Sequence, residues 1–169
     1  KQLESIRFHG IARNDNGEVL VESWGGKMNM PDVNATIGLT QLRKLDGFNR
    51  KRRLLAERYF RQLPRHPLLV LPAQAPGHSW HMYCICLDFE SMGKSREDIL
   101  DAFKAQDIML GMHYPAMHLF GLYRQLGYKR GNFPIAERIG EQTFTLPLFP
   151  AMTVDDVDRV ATVFDQLLA

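Results

Sequence analysis

The stretch HMYCICLDF, residues 81–89, is the strongest strand candidate in the sequence. It is a short apolar run rich in residues that favour β structure, which is typical of a buried strand. The segment that follows, SREDILDAFKAQ (95–106), predicts a helix with Ser95 as its N-cap and Glu97 or Asp98 in its first turn. A strand followed by a helix predicts a domain that packs both element types in layers.

Toward the C-terminus, strands and helices continue to alternate. The predicted elements are strands at IMLGMHY (108–114) and FTLPLF (144–149), helical segments at HLFGLYRQLGY (118–128) and NFPIAERIGEQ (132–142), and a closing helix capped by Thr153. This order predicts an α/β or α+β layer, with helices packed against a small sheet. The directions of the strands stay open.

Toward the N-terminus, two helices are predicted before the first strand. One begins at Pro31 and Asp32, residues that suit the first turn of a helix, and it is apolar on so many sides that burial on most sides is expected. The other spans 47–63 and combines an apolar stripe with an arginine-rich face, which predicts a packed helix with a solvated polar side. The first 30 residues contain turn chemistry and do not resemble the start of a compact domain.

The composition narrows the class of protein. The chain has 169 residues and a formal net charge of +2, which does not suggest a nucleic-acid binder. No apolar run reaches the length of a membrane helix, and the first ten residues do not form a signal peptide. Cys84 and Cys86, the only cysteines, do not match a zinc pattern and favour a reducing compartment. We therefore expect a soluble, cytoplasmic protein.

Few residues point to chemistry on spacing alone. His113 and His118 flank Pro115 at the end of a predicted strand, so they can line a polar pocket, although the residues alone favour ordinary core or surface histidines. Their spacing does not fit a helical metal site, and no carboxylate lies near either in the sequence, so no metal is predicted. The sequence contains no phosphate-binding glycine loop and no nucleophile elbow.

Four segments together resemble the DegT/StrS family of nucleotide-sugar aminotransferases, which depend on pyridoxal 5'-phosphate (PLP). They are GGKMNMPDVNATIGLTQLRKLDGFNRKRRLLAERY (25–59), HSWHMYCICLD (78–88), HYPAMHLFGLYRQLGY (113–128) and FPIAERIGEQTFTLPLFPAMTVDDVDRV (133–160). They follow the family's order and spacing over nearly the whole chain.

The resemblance implies the C-terminal part of a fold-type I aminotransferase. Residues 1–30 would end the large PLP domain and carry an active-site loop, residues 31–65 would form linking helices, and residues 66–169 would form the small α/β domain. The implied activity moves an amino group from glutamate to a keto-sugar nucleotide, in a homodimer with shared active sites. No membrane or nucleic-acid partner is expected.

The resemblance also implies roles for individual residues. Lys27 and Asn29 would contact PLP, and His113 and His118 would contact substrate. No residue of this chain is expected to be catalytic. None of the lysines lies in the context of the family's Schiff-base lysine, so the chain is predicted to be inactive by itself; these lysines are Lys1, Lys27, Lys44, Lys51, Lys94, Lys104 and Lys129.

A substrate subgroup and two other classes of function complete the expectations. Lys27 and Asn29, with RFHGI and NATIGLTQL, are similar to enzymes that make UDP-4-amino-4-deoxy-L-arabinose for lipid A, although Gly26 and Met28 depart from that pattern. A non-catalytic interaction or regulatory module derived from such an enzyme is the alternative. A third possibility is that the arginine-rich helix binds RNA.

Overall fold

The structure is a computed structural model that describes residues 2–169, and Lys1 lies outside the described residues. The chain divides into two compact units, Lys1–Leu45 and Asp46–Ala169. None of the described helices is long and apolar enough to cross a membrane. The division into a large-domain end, linking helices and a small domain stays a prediction.

The first unit contains two helices and a hairpin. Helix α1 spans Gln2–Ile6, strands β1 (Ile11–Arg13) and β2 (Val19–Val21) pair in antiparallel fashion, and helix α2 spans Asp32–Leu42. The predicted turn lies between β1 and β2, where the side-chain oxygen of Asn14 accepts hydrogen bonds from the backbone N–H groups of Asn16 and Glu18.

Helix α2 is exposed to solvent in this chain, and its burial by other parts of the enzyme stays a prediction. None of its residues is buried, and Val33 and Leu42 keep 71% and 63% of their surface accessible. Among the described residues of this unit, only Gly10 is buried. Apolar side chains lie on all sides of α2, so contact along one face could cover only some of them.

The second unit contains five α-helices, two short 3-10 helices and a small sheet. Its elements are α3 (Leu45–Gln62), β3 (Leu69–Val70), β4 (Tyr83–Leu87), α4 (Arg96–Lys104), α5 (Gly121–Gln125), α6 (Pro134–Gln142), β5 (Thr143–Leu146) and α7 (Val154–Leu168), with short 3-10 helices at Glu90–Met92 and Met117–Leu119. The sheet order is β3-β4-β5, and both pairings are antiparallel. The predicted α/β layer is confirmed.

The core lies on one face of β4. Tyr83, Ile85 and Leu87 alternate along the strand and are fully or almost fully buried. Helices α3, α4 and α7 cover this face with large side chains that are completely buried; these are Leu55, Tyr59, Ile99, Phe103, Val157 and Phe164. The pattern leaves Cys84 and Cys86 on the other face of the strand, where both are half-buried.

Two strand predictions need correction. The segment 108–114 does not form a strand: only Gly111 pairs, in a single bridge to Thr145. The strand predicted at 144–149 is β5, which ends at Leu146, because Pro147 has no N–H group to continue a ladder. The two-residue strand β3 carries too short a pattern to be recognised in the sequence.

The helix caps match their predictions closely. The hydroxyl of Ser95 accepts a hydrogen bond from the backbone N–H of Asp98, and the Asp98 carboxylate accepts one from the backbone N–H of Ser95. Thr153 and Asp156 form the same reciprocal pair at the start of α7. These carboxylates stabilise the N-termini of α4 and α7.

Candidate functional site

The face of the sheet opposite the core carries small polar side chains. In the register of β4 and β5, Cys84 lies opposite Thr145 and Cys86 lies opposite Thr143. The Sγ atom of Cys84 lies 3.4 Å from the Oγ1 atom of Thr145. Burial raises the pKa of the Cys86 thiol, so this cysteine stays protonated near neutral pH.

His113 joins this polar face from the loop that follows Gly111. Its Nδ1 atom lies 2.8 Å from the Oγ1 atom of Thr145, and the ring is half-buried. A side chain at Gly111 would place its Cβ atom 2.6 Å from the His113 ring, so only glycine leaves room for the ring in this position. The histidine predicted to line a polar pocket is therefore held at the edge of the sheet.

His118 occupies a different environment. It is 7% exposed, and its Nε2 atom lies 2.8 Å from the Oε1 atom of Glu137 on α6. No carboxylate lies near this histidine in the sequence, but the fold brings Glu137 into contact with it from 19 positions away. Its predicted contact with substrate stays a prediction.

Glu137 is a site residue that the sequence analysis missed. Its carboxylate also accepts hydrogen bonds from the backbone N–H groups of Gly131, at 2.8 Å and 2.9 Å to its two oxygens, and of Phe133, at 3.2 Å. The Gly131 contact lowers the pKa of Glu137 most, and the contacts with Phe133 and His118 lower it further. The ionised carboxylate thus ties the His118 turn to the start of α6.

Arg96 is a second residue that the sequence analysis did not single out. Its guanidinium donates to the carbonyl oxygens of Thr143 at 2.9 Å and Gly140 at 3.2 Å, and also to that of Glu141. It lies over the ring of Phe144, with 4.9 Å between the guanidinium carbon and the ring centroid. Burial lowers its pKa. Arg96 therefore satisfies carbonyl groups at the C-terminus of α6.

Lys27 and Asn29 lie on the loop that precedes α2, in the first unit. Lys27 pairs through its backbone with Phe8, and its ammonium nitrogen lies 4.4 Å from the centroid of the Phe8 ring. Among the described residues, no carboxylate forms an ion pair with Lys27. Both side chains are exposed, so both are accessible to a ligand.

The backbone of this loop is fixed by hydrogen bonds at close range. The N–H of Gly26 donates to the carbonyl oxygen of Ile6 at 2.9 Å, and the N–H of Met28 donates to the carbonyl oxygen of Arg7 at 2.8 Å. A Cβ atom on Gly25 would lie 2.2 Å from the backbone nitrogen of Gly10, so glycine is needed there for packing within the unit. Lys27 therefore extends from an ordered backbone.

A comparison with known proteins identifies the family. A model of the DegT/DnrJ/EryC1/StrS aminotransferase family matches residues 1–165. The chain belongs to this family. PLP is the family's cofactor, and the family predicted from the sequence is confirmed.

Solved structures share the fold. The aminotransferase TlmJ from Streptoalloteichus hindustanus is 29% identical with a TM-score of 0.83, and the match covers 99% of this chain and 44% of that one. Helicobacter pylori PseC, an aminotransferase of pseudoaminic acid biosynthesis, is 23% identical with a TM-score of 0.85, and the match covers 98% of this chain and 45% of that one. Bacillus subtilis NtdA with bound PMP is 27% identical with a TM-score of 0.79, and the match covers 97% of this chain and 38% of that one. This chain thus spans less than half the length of the structures that it matches.

Proposed function

We propose that the chain forms the C-terminal portion of a PLP-dependent aminotransferase that moves an amino group from glutamate to a keto-sugar nucleotide. The observation that carries the proposal is the family match over residues 1–165. The fold agrees, since two neighbours, TlmJ and PseC, are aminotransferases of the same architecture over nearly all of this chain.

Lys27 is proposed to bind the phosphate of PLP, and Asn29 to add a hydrogen bond. A lysine ammonium is a compact charge that suits a phosphate. Its exposure and its lack of a carboxylate partner among the described residues support this role, because the charge is not already neutralised. PLP, when bound, supplies the electron sink for amino transfer.

The second proposed feature is a homodimer that shares its active sites. The support is the exposed apolar surface of the first unit, where Trp24 is 98% exposed and Val33 and Ile37 are 71% and 58% exposed. Large apolar surfaces on a folded protein mark interaction sites. In the proposal, the rest of the enzyme and its dimer partner cover α2, and Lys27 reaches the cofactor of the other subunit.

His113 and His118 are proposed to contact the sugar nucleotide or the amino donor. The ring of His113 can donate to or accept from a carboxylate or a sugar hydroxyl. For the sugar, we propose a UDP-4-keto-pentose in lipopolysaccharide modification, acting in the cytoplasm. Lys27 and Asn29 support this choice, since they match that subgroup of the family.

The reading frame upstream of Lys1 tests the proposal. We expect it to encode a lysine in the family's Schiff-base context, and the longer product to transfer an amino group to a keto-sugar nucleotide. Residues 1–169 mixed with PLP should form no stoichiometric imine that borohydride fixes to the protein. A start codon next to Lys1 would instead favour the non-catalytic module, and a stoichiometric imine would show that a lysine of this chain is the catalytic one.

The role of Lys27 has its own test in the longer enzyme. Lys27→Ala should weaken retention of PLP by about 1 to 3 kcal/mol, as expected for the loss of a hydrogen bond to a charged group. Mixing this variant with one that lacks the Schiff-base lysine should restore part of the activity, because one site in each mixed dimer then carries neither change. Absence of recovery in dimers that exchange subunits would contradict a contact between subunits.

A further inference from the structure

The hydroxyl of Thr145 lies between two potential hydrogen-bond partners. The Nδ1 atom of His113 is 2.8 Å away on one side, and the Sγ atom of Cys84 is 3.4 Å away on the other. Thr145 is only 8% exposed, so these two side chains are its principal partners. Since a hydroxyl carries one proton, Thr145 can donate to only one of them.

The relative strength of the two acceptors decides to which of them the Thr145 hydroxyl donates its hydrogen bond. A neutral imidazole nitrogen accepts hydrogen bonds well, whereas a thiol sulfur is a weak acceptor and its S–H a weak donor. The favourable arrangement therefore has Thr145 donating to Nδ1 of His113, while the thiol of Cys84 donates to the hydroxyl oxygen. A ring that accepts at Nδ1 carries its proton on Nε2.

The backbone of Thr145 fixes the same loop. Its N–H donates to the carbonyl of Gly111 at 2.8 Å and its carbonyl accepts from the N–H of Gly111 at 2.9 Å. The His113 ring lies against Gly111, where a Cβ atom would come within 2.6 Å of it. Thr145 therefore holds both the loop and the ring that the loop carries.

We propose that Thr145 is a positioning residue that keeps His113 in the Nε2–H form, so that the histidine offers a hydrogen-bond donor to a substrate oxygen. Among the described residues, Nε2 of His113 has no hydrogen-bond partner of its own. The contacts within this chain determine which ring nitrogen of His113 carries the proton. The identity of the group that binds Nε2–H rests on the proposed function, and that group is an acceptor oxygen of either the sugar or the amino donor.

Nitrogen NMR of the 169-residue protein tests the form of the ring. The two ring nitrogens have different chemical shifts according to which one carries the proton. At about pH 8.5, two units above an ordinary imidazole pKa, His113 should show a protonated Nε2, and so should Thr145→Ser. Thr145→Val should shift both nitrogens toward the average of a mixed population. Cys84→Ala should leave the Nε2–H form in place, because the hydroxyl still donates to the ring.

Two NMR results would overturn the proposal. One is a proton on Nδ1 in the unaltered protein. The other is an unchanged ring in Thr145→Val, provided that its amide spectrum shows the native fold. If Thr145→Val does not fold, Thr145→Ala serves in its place, since it removes the hydroxyl without adding a methyl group.

Kinetics of the longer enzyme test the contact with substrate. Thr145→Val should raise KM for one substrate by roughly tenfold, equivalent to about 1.4 kcal/mol, with a small change in kcat, and Thr145→Ser should restore it. A higher KM for the keto-sugar assigns the oxygen to the sugar, and a higher KM for glutamate assigns it to a carboxylate. Unchanged KM values for both would overturn the contact. An inactive unaltered enzyme would count against the proposed function and leave the NMR result standing.

Discussion

Two tyrosines in the core of the second unit form a matched pair for mutagenesis. Tyr59 and Tyr83 are both completely buried, and their ring centroids lie 4.8 Å apart. The hydroxyl of Tyr59 donates to the carbonyl oxygen of Pro147 at 2.8 Å. The hydroxyl of Tyr83 has no hydrogen-bond partner among the described residues. The same Tyr→Phe change should therefore destabilise the protein at position 59 but not at position 83.

The expected magnitudes follow from these contacts. Tyr59→Phe removes a hydrogen bond and leaves the Pro147 carbonyl without that donor, which should lower the free energy of unfolding by about 1 to 2 kcal/mol. Tyr83→Phe removes a buried hydroxyl that costs about 1 to 3 kcal/mol when it has no partner, so this variant should be as stable as the parent or more stable.

Urea unfolding followed by tryptophan fluorescence measures both effects. Trp80 reports on the core, because its ring centroid lies 5.7 Å from that of Tyr83, whereas Trp24 is 98% exposed and emits from water in both states. With a slope of about 2 kcal/mol/M, the midpoint for Tyr59→Phe should fall by roughly 0.5 to 1 M. Equal destabilisation by Tyr59→Phe and Tyr83→Phe would refute the reasoning, since it would mean that the Tyr83 hydroxyl also has a partner.

Two further predictions concern pH. Burial raises the pKa of both Tyr59 and Tyr83 above the ordinary value, so the unfolded chain releases these protons first and stability should fall above about pH 10, by up to about 2.7 kcal/mol per pH unit for two protons. Urea unfolding between pH 9 and 11 checks this, and the double Tyr→Phe variant should lose the slope. Hydrogen bonds from Gly131 and its neighbours lower the pKa of Glu137, so its contribution is present at neutral pH and is lost as the pH falls through its folded-state pKa. Glu137→Gln should therefore melt at a lower temperature than the parent at pH 7, and the difference in melting temperature should shrink toward pH 3. Glu97 on α4 is exposed, so the control variant Glu97→Gln should change the melting temperature little. A difference for Glu137→Gln that stays constant from pH 7 to pH 3 would contradict this role of Glu137.

Features that depend on residues close together in the chain could be predicted from the sequence. Ser95 and Asp98 are three positions apart, as are Thr153 and Asp156, and each pair forms the reciprocal cap that its spacing predicts. The strand at 83–87 was also predictable, because its residues favour β structure wherever it pairs. The motifs along the chain were equally sufficient to identify the aminotransferase family, which the match over residues 1–165 confirms.

Contacts between distant residues were decided by the tertiary structure. Thr145 lies 32 positions from His113, and Glu137 lies 19 positions from His118, so no local spacing joins either pair. The strand predicted at 108–114 failed for the same reason. Residues that favour β structure form a strand only where a neighbouring strand offers backbone groups, and in this segment that happens at Gly111 alone.

The sequence by itself determined the longer helices, the caps of α4 and α7, the main strand and the family. Each of these depends on the chemistry of neighbouring residues or on a motif that is read along the chain. The tertiary structure decided which histidine is buried against a carboxylate and which is held at the sheet edge, with one ring nitrogen that has no partner among the described residues. Hydrogen bonding depends on the positions of atoms in space, and the fold brings those atoms together from segments whose separation in sequence carries no such signal.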